Sequence, residues 1–118
     1  MALWFLRGLR RGVATTRYPR DAPEPWTHEL PTPPVFDASL LDTALAERLV
    51  ELCPSSALRR DGQVLIYDVG ACTACGRCWT AAPAAVQPSR VFELSATARG
   101  HLVKRITLPK PAVREELS

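Results

Sequence analysis

The chain has 118 residues, 47% of them hydrophobic, and its mean hydropathy is −0.04. This length allows one small folded domain with flanking segments, and no apolar run is long enough to span a bilayer. The net charge is +3, and no basic patch is interleaved with aromatic residues, so the composition argues against nucleic-acid binding.

Residues 1–17 form an N-terminal segment in which residues 2–14 have the spacing of a short amphipathic helix. The two faces are apolar and basic: Ala2, Phe5, Leu6, Leu9 and Val13 against Arg7, Arg10 and Arg11. Such a helix can lie on a membrane surface or against a membrane subunit. A helix packed on another partner, a frayed terminus and a mitochondrial transit peptide are the alternatives.

Residues 18–36 are rich in proline, which disfavours helix and favours extended backbone. We therefore predict an extended arm that either lies over a partner or stays free. Trp26 is a candidate contact with that partner, and His28 has no ligand-like neighbours in the sequence.

Residues 37–90 are predicted to form the folded domain. A helix is expected from about Leu40 to Leu52, with Ser39 as its N-cap. Asp61-Gly62 predicts a hairpin turn between a strand that starts near Leu58 and a return strand over residues 63–67. A short helix should then begin near Cys78 and stop before Pro83, followed by a strand over residues 85–87.

Residues 91–118 form a C-terminal segment and tail. Residues 91–94 are compatible with an extended chain, and Ser95 is a possible cap for a last helix over residues 96–105. From Leu108 onward the chain is polar and interrupted by prolines, which predicts a loosely held tail.

The four cysteines are Cys53, Cys72, Cys75 and Cys78. The last three have C-x-x-C-x-x-C spacing, and Cys53 precedes Pro54. Bacterial ferredoxins use C-x2-C-x2-C-x3-C-P, and with two clusters the fourth cysteine of one run ligates the other cluster. The pattern therefore predicts that these four cysteines bind one [4Fe–4S] cluster.

The ligands of a second cluster are missing as a complete set. A run ending at Cys53 would need cysteines at positions 43, 46 and 49, where Thr43, Ala46 and Leu49 stand. The fourth cysteine of the later run would be residue 82, which is Ala82, although Pro83 is present. We expect these four residues to fill the volume of a lost cluster, with a longer helix in place of its cysteine loop.

Other uses of the cysteines are less favoured. Structural zinc usually takes paired C-x2-4-C knuckles, whereas here one segment supplies three cysteines and another only one. Two disulfides would be awkward at this spacing, and the apolar residues precede the arginines, unlike a secretory signal. A reducing cytoplasmic setting fits better. A scaffold without metal is a further alternative.

The sequence resembles the ferredoxin-like iron–sulfur subunit of respiratory complex I and of membrane-bound [NiFe] hydrogenase and formate hydrogenlyase complexes. The resemblance covers about residues 1–105 and includes the cysteine motif. It also includes the basic helix with Thr15-Thr16-Arg17-Tyr18-Pro19, the segment Cys53-Pro54-Ser55-Ser56-Ala57-Leu58, and Phe92-Glu93-Leu94-Ser95. The Phe-Glu-Leu segment is typical of the hydrogenase branch.

The resemblance implies a 2[4Fe–4S] ferredoxin-like α+β core with one site lost. It also implies a subunit that transfers single electrons among the other subunits of such an assembly. That subunit would be peripheral, on the cytoplasmic side of the inner membrane, and would catalyse no bond chemistry. The alternative is a scaffold subunit whose cluster, or zinc, only stabilises the fold.

Overall fold

The computed structural model describes residues 3–12, 15, 17, 19–22, 25–91 and 93–110, except the side chains of residues 26 and 28. These residues form a small mixed α+β protein, which confirms the predicted class at that level. Its α-helices are α1 (Leu3–Arg11), α2 (Thr43–Leu52) and α3 (Arg77–Ala81). Its strands are β1 (Pro34–Phe36), β2 (Leu58–Asp61), β3 (Val64–Asp68), β4 (Val86–Pro88) and β5 (Val103–Thr107).

Helix α1 confirms the helix predicted near the N-terminus, although residues 1, 2, 13 and 14 lie outside the described residues. It ends at Arg11, and the next residue, Gly12, has a φ of +67°, the left-handed conformation common just after a helix. Every described residue of α1 is exposed. No helix within the described ranges has the length and apolarity needed to cross a bilayer.

The central part of the chain consists of two strand–helix–strand halves, β1-α2-β2 and β3-α3-β4. The first strand of one half pairs with the last strand of the other, so that β1 is antiparallel to β4 and β2 to β3. The β2–β3 hairpin turns at Gly62, which has a φ of +57°. This confirms the predicted hairpin, the short helix before Pro83 and the strand that follows it.

Helix α2 begins later than predicted, and Ser39 is not its N-cap. A 3-10 turn, Ala38–Leu40, comes first, and the Ser39 hydroxyl donates to the Asp37 carboxylate at 2.6 Å. Asp42 caps α2 by accepting the N–H of Leu45 at 2.6 Å. The extra turn lets the side chain of Leu41 become fully buried ahead of the helix.

The arm predicted over residues 18–36 is not extended throughout. Pro25–Glu29 form a 3-10 helix, and β1 belongs to a sheet. Proline is compatible with both, since its fixed φ suits the first residue of a helical turn and an edge strand. The side chains of Trp26 and His28 lie outside the described part of the chain, so their predicted roles stay predictions.

The helix predicted over residues 96–105 was wrong. A 3-10 turn, Arg99–Leu102, leads into β5, which extends the second sheet to the order β2-β3-β5. β-Branched Val103, Ile106 and Thr107 suit a strand, and β3 offers an open edge that sequence periodicity does not show.

Leu108 is buried and its N–H donates to the Gln63 carbonyl at 2.7 Å, so the tail is held at least to that point. Residues 91, 93 and 94 have no regular structure, and residues 92 and 111–118 lie outside the described residues.

The core lies between the helices and the two sheets. Arg60 of β2 pairs with Glu47 of α2, and Arg99 pairs with Asp68 at 2.7 Å. The buried apolar side chains are Leu41, Ala46, Leu49, Ala57, Leu58, Leu65, Tyr67, Val69, Ala82, Ala85, Val86 and Leu108. The candidate site opens from one side of this core.

Candidate metal centre

All four cysteines line one cavity. Cys53 follows the last residue of α2, Cys72 and Cys75 lie in the loop after β3, and Cys78 lies in the first turn of α3. The cavity is small, with a volume of about 20 Å³, and it opens to solvent. Cys75 is exposed and the other three are half-buried. The fold therefore brings Cys53 and the three later cysteines, which are far apart in sequence, to the wall of one cavity.

Cys53 is positioned as the C-cap of α2, where its N–H donates to the Val50 carbonyl. Its Sγ lies 3.7 Å from the Ser55 hydroxyl. Burial alone would raise the pKa of Cys53, but the Ser55 hydroxyl and the backbone N–H groups of residues 55, 57 and 58 stabilise the thiolate more strongly. The pKa of Cys53 is therefore lower than usual, which favours the ligating form of the sulfur.

The loop that bears the other cysteines begins with a 3-10 turn, Val69–Ala71, capped by Asp68, which accepts the Gly70 N–H at 3.0 Å. Ala74 and Gly76 then adopt left-handed backbone, with φ of +53° and +83°. This curvature directs the N–H of Ala74 to the Cys72 sulfur at 3.4 Å. Backbone donors of this kind stabilise thiolates and the charge of a bound cluster.

Helix α3 starts directly after this loop. Cys78 is half-buried there, and burial, together with the nearby sulfurs of Cys72 and Cys75, raises its pKa despite the N–H groups of the helix start. Cys72 and Cys75 contribute to the raised pKa of Cys78 because ionised thiols that lie close together repel one another. A cationic metal or cluster would relieve that repulsion.

The rest of the wall is mainly apolar. It includes Phe36, Leu49, Leu58 and Trp79, and the exposed Arg77 stands at the rim. Trp79 is half-buried and covers Gly76, so part of the cysteine loop is shielded from water. A dry, apolar shell limits solvent access and so affects the redox potential of a bound centre.

Tyr67 is the exception in this wall. Its side chain is 2% exposed, and its hydroxyl has no hydrogen-bond partner among the described residues. Burial, and then the nearby thiols, Cys72 first, raise its pKa. The hydroxyl thus lies beside Cys72 without a well-formed hydrogen bond to it. Sequence reasoning missed this residue, although the alternation of residues 64–68 places Leu65 and Tyr67 on the same inner face of β3.

The four thiols share the cavity, but they are not gathered into a metal-binding geometry. In the described part of the chain, no three histidine, cysteine, aspartate or glutamate side chains are placed to hold one metal ion. The donor set nevertheless fits an iron–sulfur cluster in its chemistry: four thiols, apolar surroundings, donors directed at sulfur, and one buried hydroxyl without a partner.

Of the residues at positions where a two-cluster pattern would have further cysteines, Thr43, Ala46 and Leu49 belong to α2, and Ala82 follows α3. Ala46 and Leu49 are fully buried, Ala82 is 8% exposed and Thr43 is half-buried. Helix α2 has 10 residues and α3 has 5, so helix occupies positions 43–49 where the later half has its cysteine loop. Cys53 and Ala82 are the C-caps of α2 and α3, which makes their places in the two halves equivalent.

No protein-family model matches this chain, and a search of curated proteins finds no significant match.

Proposed function

We propose that this chain binds one [4Fe–4S] cluster through Cys53, Cys72, Cys75 and Cys78 and transfers single electrons as a subunit of a larger complex. The observation that carries the proposal is the shared cavity, because Cys53 comes from one half of the fold and the other three cysteines from the second. In two-cluster ferredoxins, the fourth cysteine of each run likewise ligates the cluster held by the other run. When bound, the cluster supplies one-electron redox chemistry.

The order of elements supports a ferredoxin-like core with one site lost. Two strand–helix–strand halves pair their outer strands with each other and their inner strands with each other. Cys53 and Ala82 end the two helices at equivalent places, and each precedes a proline. The absent ligands would thus be three from the first half and one from the second, and the four cysteines present are one from the first half and three from the second.

The proposed complex is a membrane-associated hydrogenase or a complex I-like oxidoreductase, on the cytoplasmic side of the inner membrane. Helix α1 supports a peripheral attachment, because Leu3, Trp4, Phe5, Leu6 and Leu9 are each at least 57% exposed next to three arginines. Apolar side chains below a basic face suit a membrane interface or a membrane subunit. Cytoplasmic placement also keeps the thiols reduced.

The cluster proposal is tested by anaerobic purification or reconstitution, followed by iron and sulfide analysis. We expect about four irons and four sulfides per chain, the composition of [4Fe–4S], and an EPR signal after reduction. Cys→Ser at each of the four positions should lower iron content, whereas Thr73→Ser, an exposed loop residue, should not. A colourless, iron-free chain after anaerobic reconstitution would contradict the proposal.

A scaffold role is the second candidate. It is favoured by apolar side chains exposed outside α1, such as Val35 at 54%, Val91 at 48% and Leu94 at 47%, since these suit contacts with other subunits. Cys72→Ser in the assembled complex separates the two roles. Lost electron flux with intact assembly supports the relay, and unchanged flux with intact assembly supports the scaffold.

A further inference from the structure

We propose that the Tyr67 hydroxyl is a hydrogen-bond donor to the sulfur of Cys72 or to an adjacent sulfide when the cluster is bound, and that it raises the reduction potential. This rests on the proposed function, because it needs a sulfur acceptor whose charge increases on reduction. Tyr67 is then a positioning and tuning residue, and it is not a ligand.

The first reason is the unpaired hydroxyl itself. A buried polar group almost always has a partner, and one without a partner needs an explanation. Tyr67 lines the cavity, is 2% exposed, and its Oη has no partner among the described residues. After burial itself, the groups that raise the pKa of Tyr67 are the thiols of the same cavity, Cys72 before Cys78 and Cys53.

The second reason is that the ring cannot easily turn elsewhere. Tyr67 lies on β3, the middle strand of its sheet, where it is paired with Leu58 on one side and Lys104 on the other. Its ring packs edge-on against Phe36 at a centroid distance of 5.0 Å and an interplanar angle of 66°. The rigid strand and this packing hold the hydroxyl oxygen at the cavity wall. Only the hydroxyl hydrogen can change direction, by rotation about the Cζ–Oη bond.

The third reason is the chemistry of the donor and acceptor. A phenol keeps its proton at neutral pH, so it can donate. The sulfurs of a cluster are anionic acceptors, and reduction adds negative charge to them. A fixed donor therefore stabilises the reduced state more than the oxidised state, and hydrogen bonds to sulfur are one of the determinants of cluster potentials.

Tyr67→Phe tests this inference in the full chain. We expect wild type and variant to bind equal iron after anaerobic reconstitution, and the midpoint potential of the variant to become more negative. The ratio of reduced to oxidised protein at a fixed potential should fall by up to about tenfold in the variant. For one electron, a tenfold change corresponds to about 59 mV in the midpoint potential. The cluster-free variant should be at least as resistant to urea as wild type, because it lacks the unpaired hydroxyl.

Thr32→Val is the matched control. Thr32 is 1% exposed, and its hydroxyl accepts the Arg90 N–H at 3.0 Å away from the cavity wall. Removing this satisfied hydroxyl should lower stability and leave the potential unchanged. An equal potential in wild type and Tyr67→Phe, at equal iron content, overturns the role of Tyr67 and leaves the proposed function standing. If neither protein binds iron, both proposals fall.

A second substitution covers the case in which Tyr67→Phe does not fold. The chain has two tyrosines, and replacing both with 3-fluorotyrosine keeps the ring and makes the phenol a stronger donor. We expect the potential to move in the opposite direction, to more positive values. No shift, or a shift to more negative values, overturns the inference.

Discussion

A Cβ atom placed on Gly76 would lie 2.8 Å from Cζ2 of the Trp79 indole, so the glycine and the ring are fitted to each other. Gly76 also has a φ of +83°, which residues with a side chain rarely adopt. The contact fixes the point at which the cysteine loop passes into α3. Both the backbone conformation and the space therefore require glycine.

Gly76→Ala should destabilise the chain and lower its iron content. The left-handed backbone costs an alanine about 1–2 kcal/mol, and displacement of the indole adds to that cost. Gly62→Ala is the matched control for backbone alone, because Gly62 has a φ of +57° and open space around its Cβ position. Urea unfolding should rank Gly76→Ala below Gly62→Ala, and an equal loss would show that Trp79 moves freely.

Leu49→Ala should lower the free energy of unfolding by about 2–5 kcal/mol, since it leaves a cavity in a packed interior. Leu49 is fully buried and also lines the thiol cavity. Leu40→Ala is the control, because Leu40 is 53% exposed and should cost at most about 0.5 kcal/mol. Chemical denaturation of both variants checks this. Similar losses would mean that Leu49 is not a core residue.

Helix α1 should bind anionic vesicles through its apolar face. We expect Leu6→Glu with Leu9→Glu to abolish co-sedimentation with vesicles that contain phosphatidylserine, because both leucines are over half exposed and would have to enter the interface. Leu40→Glu, an exposed leucine outside α1, should leave binding unchanged. If the double variant still binds the vesicles, the positive charge of the arginines alone would explain the attachment.

The pKa of Asp37 should lie below its ordinary value of about 3.9. The Ser39 hydroxyl, and then its N–H, donate to the Asp37 carboxylate and favour the charged form. The stability from this pair is therefore present above the ordinary pKa and is lost as the pH falls through the lowered one. An NMR titration should show the pKa of Asp37 rising in Ser39→Ala and unchanged in Ser95→Ala.

Local signals in the sequence predicted much of the fold. The β2–β3 hairpin follows from Asp61-Gly62, which favours a tight turn whatever surrounds it. Helix α3 follows from the interval between the cysteine loop and Pro83, and α1 follows from its own periodicity. Each of these elements depends on residues close together in the chain.

Features that depend on distant partners could not be predicted in this way. β5 is a strand because β3 has an edge to pair with, and that pairing joins Ile66 to Arg105, which is far along the chain. Ser39 instead donates to the Asp37 carboxylate, and Asp42 is the N-cap of α2. The cysteine pattern indicated four ligands, but only the structure shows that the buried hydroxyl of Tyr67 belongs to the same cavity.

The packing of Ala46, Leu49 and Ala82 restricts how this protein can change further. A cysteine introduced at Ala46 or Ala82 would be a buried thiol among closely packed apolar side chains. A cluster placed beside these residues would require several simultaneous replacements and would displace half of α2. A single substitution therefore cannot create a further cluster site in this part of the protein.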